Sequence, residues 1–220
     1  EGIRDEGETM EKLIDLSQII EDDMPVYPGD LKTSLFQTQY LSVHKYNNYR
    51  LDINSHAGTH IDSPMHLTER QEFICELPLE SFIGVGSILN VKDQPVIKMQ
   101  VEYETLIKDG GIVLLYTGYD QVYGTPEYYQ GHPVVDPDFA RFLLSKNIKG
   151  LGMDLPSPDE SPFPVHKLLF ANNVYILENL TNLDKLLDLP AFEVIALPLK
   201  IRADSSIARI AARVIQSNPE

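Results

Sequence analysis

The sequence is almost without cysteine, and this scarcity narrows the classes to which the protein can belong. Cys75 is the only cysteine in 220 residues, so the chain cannot form an internal disulfide. We therefore expect a reducing, cytoplasmic location. The neighbours of Cys75 in FICELPLE are apolar or acidic, which gives no reason for a low thiol pKa. We interpret Cys75 as a space-filling residue without a chemical role.

Long hydrophobic runs and an excess of basic residues are also missing. The longest apolar runs, such as IVLLY at 112–116, are far shorter than the about 20 residues that cross a bilayer. Lys and Arg number 18 against 33 Asp and Glu, which gives a net charge of −15. A charge of this sign repels phosphate backbones and anionic lipid. We expect neither nucleic acid nor a membrane surface as a partner.

The sequence shows no internal repeat and no long linker, and we expect no secretion signal. Its first residues, EGIRDEGETMEK, are acidic and polar where a signal would be basic and then apolar. We expect Met10 to be the natural start and residues 1–9 to be an N-terminal extension. Residues 10–220 are then expected to form a single domain.

Short strand-like runs outnumber helix-like stretches. The strand-like runs are 12–17, 34–43, 48–62, 84–91, 111–118, 148–155, 173–180 and 192–201. The helix-like stretches are 101–110, 136–147 and 165–172. This order predicts a mixed, strand-rich α/β fold with a curved or barrel-like sheet. The absence of a repeating strand–helix unit argues against a TIM barrel.

Three of the six histidines lie in one stretch, SHAGTHIDSPMH, from Ser55 to His66. Two of them are four residues apart, but Gly58, Thr59 and Pro64 oppose a helix there. A strand through 48–62 would place the even positions on one face. Those positions are Asp52, Asn54, His56, Gly58, His60 and Asp62. In this interpretation Gly58 makes room for an ion, and Pro64 ends the strand before His66.

Two imidazoles and a carboxylate on one face suit Zn(II), Mn(II) or Fe(II) and leave coordination positions open. The alternative is a histidine-rich, exposed strand face that binds nothing. The alternation of His56, His60 and Asp62, framed by Gly and Pro, favours the metal site. The spacing does not distinguish a catalytic ion from a structural one.

The stretch HAGTHIDSPMHL resembles the HxGTHxDxPxHF motif of the cyclase family of metal-dependent hydrolases, which includes arylformamidases and isatin hydrolases. Leu67, where the family often has Phe, is the one departure. Further segments are similar to family segments in the expected order: PVYPGD (25–30), LYTGYDQVYGTPEYY (115–129), GLGMDLPSPDE to VYILENL (150–180) and ALPLKI (196–201). The resemblance extends from Leu13 to Val214 and implies a swivelling β/β/α domain.

The resemblance implies a role for each residue of the first motif. His56, His60 and Asp62 match the ligands of a first metal, and Asp62 can bridge to a second. His66 matches the general acid/base. Tyr27 falls where the family's formamidases place an aromatic residue against the substrate ring, with Tyr here instead of Trp.

His166 and Glu178 match the ligands of a second metal by the same resemblance. Glu178 also interrupts the apolar run VYILENL, where a charge is costly unless it is paired or bound to a metal. The alternatives from the residues alone are an exposed histidine and an edge-strand glutamate.

The function implied is that of a metal-dependent amidohydrolase. Its leading substrate is an aryl formamide such as N-formylkynurenine, an intermediate of tryptophan catabolism. One or two divalent ions are expected, Zn(II) first and Mn(II) second. The ion lowers the pKa of a water and polarises the carbonyl. The resemblance also implies a homodimer or homotetramer.

Two other functions stay open. One is a ring-opening hydrolase of a cyclic amide or lactone with a single Mn(II), and the other is a non-catalytic protein with a closed structural metal site. His44 and His132 match no ligand position and are expected at the surface. Asp154 follows a strand, where a site role and a turn-capping role are equally compatible with the sequence. No G-x-S-x-G motif is present, so serine hydrolase chemistry lacks its usual sequence context.

Overall fold

A computed structural model of the chain describes residues 12–215. The expected extension over residues 1–9, and Met10, lie outside the described residues. The strands are β1 Leu13–Asp15, β2 Ser34–Gln39, β3 Asn48–Asp52, β4 His60–Asp62, β5 Ile83–Asn90, β6 Val96–Ile97, β7 Ile112–Tyr116, β8 Val134–Val135, β9 Gly150–Met153, β10 Tyr175–Glu178, β11 Phe192–Ile195, β12 Ser205–Ile207 and β13 Ala211–Val214.

The α-helices of the described residues are short. They are α1 Leu41–His44, α2 Tyr103–Leu106, α3 Pro126–Tyr129, α4 Pro137–Ser145 and α5 Pro164–Ala171. Single turns of 3₁₀ helix cover Pro64–His66, Ile74–Glu76, Leu79–Phe82, Tyr119–Val122 and Leu183–Leu186. No helix among the described residues is both long and apolar enough to cross a membrane.

Within the described residues, nine strands form one curled, half-barrel sheet in the order β1-β13-β11-β5-β7-β9-β10-β4-β12. The four central strands β5, β7, β9 and β10 run parallel. Antiparallel strands complete the sheet on both sides, with β4 and β12 beyond β10. The mixed, strand-rich α/β prediction is confirmed.

Each face of the sheet buries its own hydrophobic cluster, because side chains alternate along the strands. On β7, Val113 and Leu115 pack toward α4 and α5, whereas Ile112 and Leu114 pack on the opposite face. All five residues of β7 are buried. Such a continuous apolar strand is typical of a parallel sheet covered on both faces.

Two of the three predicted helices are present with bounds close to those expected. Helix α4 begins at Pro137, and the Asp136 side chain caps it by accepting the Asp138 N–H at 2.8 Å. Helix α5 covers most of the predicted stretch at 165–172. The stretch at 101–110 is helical only over Tyr103–Leu106, so that prediction was largely wrong.

The single strand predicted through 48–62 is also wrong. The chain leaves β3 after Asp52, turns, and enters β4 at His60. The Asn54 side chain accepts the His56 N–H at 3.0 Å and its carbonyl accepts the Ala57 N–H at 3.0 Å, and both bonds favour a turn. Gly58 completes the turn in the left-handed region at φ +61°.

The structure gives a second reason for a glycine at position 58. A Cβ added at Gly58 would come within 2.8 Å of the Met24 side-chain methyl group. The glycine is needed for its backbone conformation and for the close approach of Met24.

Strands β2 and β3 form a two-stranded hairpin that pairs with no other strand of the described part of the chain. We call residues 34–52 the arm. Every residue of β3 is exposed. The arm also exposes large apolar side chains along its length: Phe36, Tyr40, Leu41, Val43, Tyr46, Tyr49 and Leu51.

Candidate metal centre

The sheet brings together two strands that carry the polar residues of the site. Strands β4 and β10 pair antiparallel, with Glu178 opposite His60 and Ile176 opposite Asp62. His60 and Asp62, two residues apart on β4, therefore share a face with Glu178. All three side chains are buried. Carboxylates such as Asp62 and Glu178 are rarely buried without an ionic partner or a metal.

The remaining predicted residues reach this face from nearby turns and helices. His56 lies on the turn before β4, His66 ends the 3₁₀ helix Pro64–His66, and His166 lies in the first turn of α5. The rings of His56 and His66 are 4.3 Å apart between centroids. The centroids of His66 and His166 are 6.4 Å apart.

The structure groups the predicted metal ligands in two sets that share Asp62. His56, His60 and Asp62 each offer a ligand atom within 4.8 Å of the others. Asp62, His166 and Glu178 do the same. Such an arrangement can hold one ion or an adjacent pair bridged by a carboxylate.

Several buried side-chain atoms in these sets have no hydrogen-bond partner within residues 12–215. They are His60 Nε2, Asp62 Oδ1 and Glu178 Oε1. His60 Nε2 lies 3.3 Å from Asp62 Oδ1 and 3.4 Å from Glu178 Oε2. Unsatisfied buried polar atoms are costly, so their convergence on one point fits a bound cation. The residues present therefore fit a divalent metal.

In each histidine of the two sets, the ring nitrogen that points away from the carboxylates of the sets donates a hydrogen bond to an oxygen acceptor. His60 Nδ1 donates to the Gly58 carbonyl at 2.9 Å, and His166 Nδ1 donates to the Asp159 carboxylate. His56 Nε2 donates to Asp204 at 3.1 Å. Each ring thereby directs its other nitrogen toward the ligand carboxylates. Metal-binding histidines characteristically have such an outer partner.

The electrostatic field of the site favours positive charge. Burial opposes a charge on His60, but Asp62 and Glu178 outweigh it and raise the His60 pKa well above its usual value. Burial likewise opposes a charge on His56 and His166, while the neighbouring carboxylates raise their pKa values to about 9 and about 10. The carboxylates thus stabilise positive charge at this place, whether on protonated histidines or on a bound cation.

Two carboxylates next to the site were missed in the sequence. Asp159 accepts the Val165 and His166 N–H groups at the start of α5 as well as the His166 ring. Asp204 accepts from His66 Nδ1 at 2.8 Å and from His56. Asp159 could have been suspected from its place just before a proline-initiated helix. Asp204 is 138 residues from His66, and no local pattern links the two.

A cavity of about 310 Å³ opens onto both ligand sets and onto His66. This volume is at the lower end of the range for small-molecule sites. Tyr27, Tyr123, Tyr129 and Phe163 contribute aromatic walls. Tyr27, predicted to contact substrate, is 46% exposed and packs edge-on against Tyr129 at 5.8 Å. The other three aromatic residues were not predicted.

The residues set aside in the sequence fall outside the cavity. His44 is exposed, as expected. His132 is buried, against expectation, and its Nδ1 donates to the Pro133 carbonyl at 2.9 Å. A backbone partner of this kind lets a histidine be buried without a metal. Asp154 is fully buried and accepts from Thr117 and Gly118.

Comparison with characterised sequences identifies relatives along nearly the whole chain. A family model described as a putative cyclase matches residues 14–160. A kynurenine formamidase of Geobacillus thermodenitrificans is 31% identical over 211 residues, which cover 93% of this chain and 98% of that protein. A kynurenine formamidase of Bacillus cereus is 30% identical over 92% of this chain and 97% of its own length.

Solved structures share the fold. A predicted metal-dependent hydrolase from Bacillus stearothermophilus superposes with a TM-score of 0.75 at 27% identity, covering 93% of this chain and 98% of that one. Isatin hydrolase A from Labrenzia aggregata gives a TM-score of 0.81 at 23% identity over 93% of this chain and 94% of its own.

Proposed function

The chain belongs to the cyclase family, and on that premise we propose that it is a metal-dependent amidohydrolase that cleaves an aryl formamide. N-formylkynurenine is the leading substrate, because the kynurenine formamidases are about 30% identical over nearly the full chain. The reaction adds water across the amide C–N bond, so that formate and the free aryl amine leave.

The observation that carries this proposal is the pair of ligand sets joined at Asp62 and open to a cavity. His56, His60 and Asp62 would hold the first ion. Asp62, His166 and Glu178 would hold the second. A divalent ion bound there lowers the pKa of a water and polarises a carbonyl oxygen. Nitrogen and carboxylate ligands without sulfur suit Zn(II), and Mn(II) is the second candidate.

His66 has the position of a proton carrier. It lines the cavity beside both ligand sets, yet its Nδ1 is taken by Asp204. If Nδ1 bears the hydrogen, a neutral ring has its lone pair on Nε2. His66 Nε2 can then accept a proton from the attacking water and return it to the departing aryl nitrogen. Such proton transfer typically contributes about 10²–10⁴ in rate.

The aromatic walls suit a substrate with a ring. Tyr27 and Tyr129 are perpendicular to each other, so that one presents a face where the other presents an edge. Such walls can stack or pack edge-to-face against an aryl group. Phe163 lies edge-on to His166 at 5.7 Å and lines the cavity beside the second ligand set.

We also propose that the protein works as a homodimer or homotetramer in the cytoplasm, with residues 10–220 as one domain. The support for assembly is the arm, residues 34–52. An isolated two-stranded hairpin is marginally stable in water. Its row of exposed apolar side chains is the type of surface that contacts another chain. A second copy of this chain is the partner we propose.

The decisive experiment measures metal content and hydrolysis together. Purified protein should contain one or two equivalents of Zn(II) or Mn(II) and hydrolyse N-formylkynurenine. It should lose activity on chelation and regain it when metal is restored. Full activity after complete metal removal would refute the proposal. Turnover of isatin but not of the formamide would favour the single-metal ring-opening alternative. One tightly held ion without any hydrolysis would favour a structural site.

A variant tests the role of His66 separately. His66→Ala should keep its metal and lose about 10²–10⁴ in kcat, because only the proton carrier is removed. Lys98→Ala, which changes an exposed residue outside the cavity and the arm, is the control. A His66→Ala enzyme with wild-type turnover would exclude the acid/base role but not the hydrolase.

A further inference from the structure

Asp204 is fixed by the sheet next to the segment that carries His66. It immediately precedes β12, whose Ser205 pairs with Asp62 of β4. Ser63 donates both its N–H, at 3.0 Å, and its hydroxyl, at 2.7 Å, to the Asp204 carbonyl. Ser63 also begins the turn that ends in His66, whose N–H donates to the Ser63 carbonyl at 3.0 Å. These three hydrogen bonds tie the backbone of Asp204 to the turn that carries His66.

The Asp204 carboxylate is shared between two histidines with different tasks. Its Oδ2 lies 2.8 Å from His66 Nδ1 and 3.1 Å from His56 Nε2. An ionised carboxylate only accepts hydrogen bonds, so both nitrogens that face it bear hydrogen. This leaves His66 with its lone pair on Nε2 when the ring is neutral. The hydrogen bond from His56 Nε2 to Asp204 leaves His56 Nδ1 facing Asp62 Oδ1, 2.9 Å away.

We propose that Asp204 is a positioning residue that sets the tautomer of His66 and, through the same oxygen, the orientation of His56. The inference deepens the proposed function and rests on it. The arrangement follows the same physical logic as other carboxylate–histidine pairs, in which the carboxylate holds the base in its useful tautomer. It also matches the outer carboxylate that orients a metal-binding histidine. One oxygen atom would thus link proton transfer to the ligand set.

The first test uses metal-free protein and needs no activity. In ¹⁵N-histidine-labelled protein, at a pH where the His66 ring is neutral, wild type should show the Nδ1–H tautomer of His66. The His66→Gln spectrum assigns the signal. Asp204→Ala should shift His66 toward the Nε2–H tautomer, because its acceptor is gone. Asp109→Asn, which changes a 71% exposed carboxylate, is the matched control and should keep the wild-type spectrum.

The second test measures the loaded enzyme. Asp204→Ala and the isosteric Asp204→Asn should each lower kcat about 10- to 100-fold, with KM within about threefold of wild type. Their affinity for Zn(II) should fall about 10- to 100-fold, because His56 loses its outer partner. Both variants should still bind the metal at saturating concentrations. If Asp204→Ala does not fold, Asp204→Leu replaces it in the tautomer test, because the amide oxygen of Asn can still accept from His66 Nδ1. Asp204→Asn then decides the second test.

Three results would overturn the proposal. The first is an unchanged His66 tautomer in a folded variant that has no acceptor at position 204. The second is unchanged kcat and metal affinity. The third is failure to bind metal at any concentration, which would make Asp204 a ligand. If wild type hydrolyses no formamide, the proposed function fails, and the tautomer and metal affinity still decide the role of Asp204.

Discussion

At the scale of single residues, each histidine of the site is oriented by an oxygen atom that accepts a hydrogen bond from one of its ring nitrogens. His60 has the Gly58 carbonyl, His166 has Asp159, and His56 and His66 share Asp204. The Gly58 carbonyl also accepts the Asn179 side-chain N–H at 2.8 Å, which fixes it in turn. The nitrogens that we propose as metal ligands are thus already oriented in the metal-free protein, which would lower the entropic cost of binding a metal.

Asp154 gives a prediction at the same scale, away from the ligands. Burial raises its pKa to about 6, although hydrogen bonds from Thr117 and Gly118 oppose this shift. In the unfolded chain the usual value is 3.8. Between these values the folded protein keeps a proton that the unfolded chain has lost, so stability falls as pH rises from about 4 to about 6. The two pKa values correspond to a loss of about 3 kcal/mol.

Urea unfolding of metal-free protein between pH 4.5 and pH 7 measures this effect against Asp154→Asn. The free energy of unfolding of wild type should fall relative to the variant up to about pH 6 and stay level from there to pH 7. Asp138→Asn, at an exposed position, should follow the wild-type curve. Parallel curves for wild type and Asp154→Asn would show that Asp154 does not carry this pH dependence.

At the scale of elements, local sequence patterns predicted the helices and strands whose formation depends on neighbouring residues in the chain. The Asp-Pro start and apolar spacing of α4, and the continuous apolar run of β7, both appear in the structure. The strand predicted through 48–62 failed because the Asn54 side chain and the Gly58 backbone form a turn that overrides alternation. Even so, the structure brings together His56, His60 and Asp62 as expected, since only the last two need to share a strand.

Strands β12 and β13 were missed because their sequences, SSI and AARV, have weak strand character of their own. They form because β4 and β11 offer edges to pair with. Asp204 belongs to this late segment, so its approach to His66 depends on a pairing that no local pattern reveals. His166 and Glu178 likewise reach the site through long-range contacts that no local pattern reveals, so family resemblance was the main ground for predicting them.

The Gly58 turn gives a prediction at this scale, with a matched control. Gly58 and Gly110 both have positive φ, at +61° and +69°. Alanine at either position should cost about 1–2 kcal/mol of stability for the left-handed backbone. A Cβ at Gly110 meets nothing within 4 Å, whereas one at Gly58 meets buried Met24.

Only Gly58→Ala should therefore also weaken Zn(II) binding, by about tenfold, because the Gly58 carbonyl holds His60. Calorimetric titration of both variants with Zn(II), beside urea unfolding, separates the two effects. Equal metal affinity in Gly58→Ala and Gly110→Ala would show that this turn does not orient the ligand.

At the scale of the whole molecule, net charge opposes association between copies of the chain, whereas exposed apolar surface favours it. The net charge of −15 keeps copies of the chain apart at long range. The arm nevertheless exposes Val43 at 70% and Tyr49 at 60%. Charge repulsion is screened beyond about 8 Å at physiological salt, but contact between apolar surfaces is not. Assembly through the arm should therefore be favoured by salt.

The double variant Val43→Glu, Tyr49→Glu tests whether the arm joins two copies of the chain. Two buried carboxylates without partners would be costly in an apolar interface, so the variant should become monomeric. Light scattering coupled to size-exclusion chromatography measures the mass, with wild type expected at two or four times 24.9 kDa. Val101→Glu, which changes a residue 81% exposed outside the arm, should leave the assembly intact. A double variant that keeps the wild-type mass, or a wild type that is monomeric at high salt, would place the contact elsewhere or exclude it.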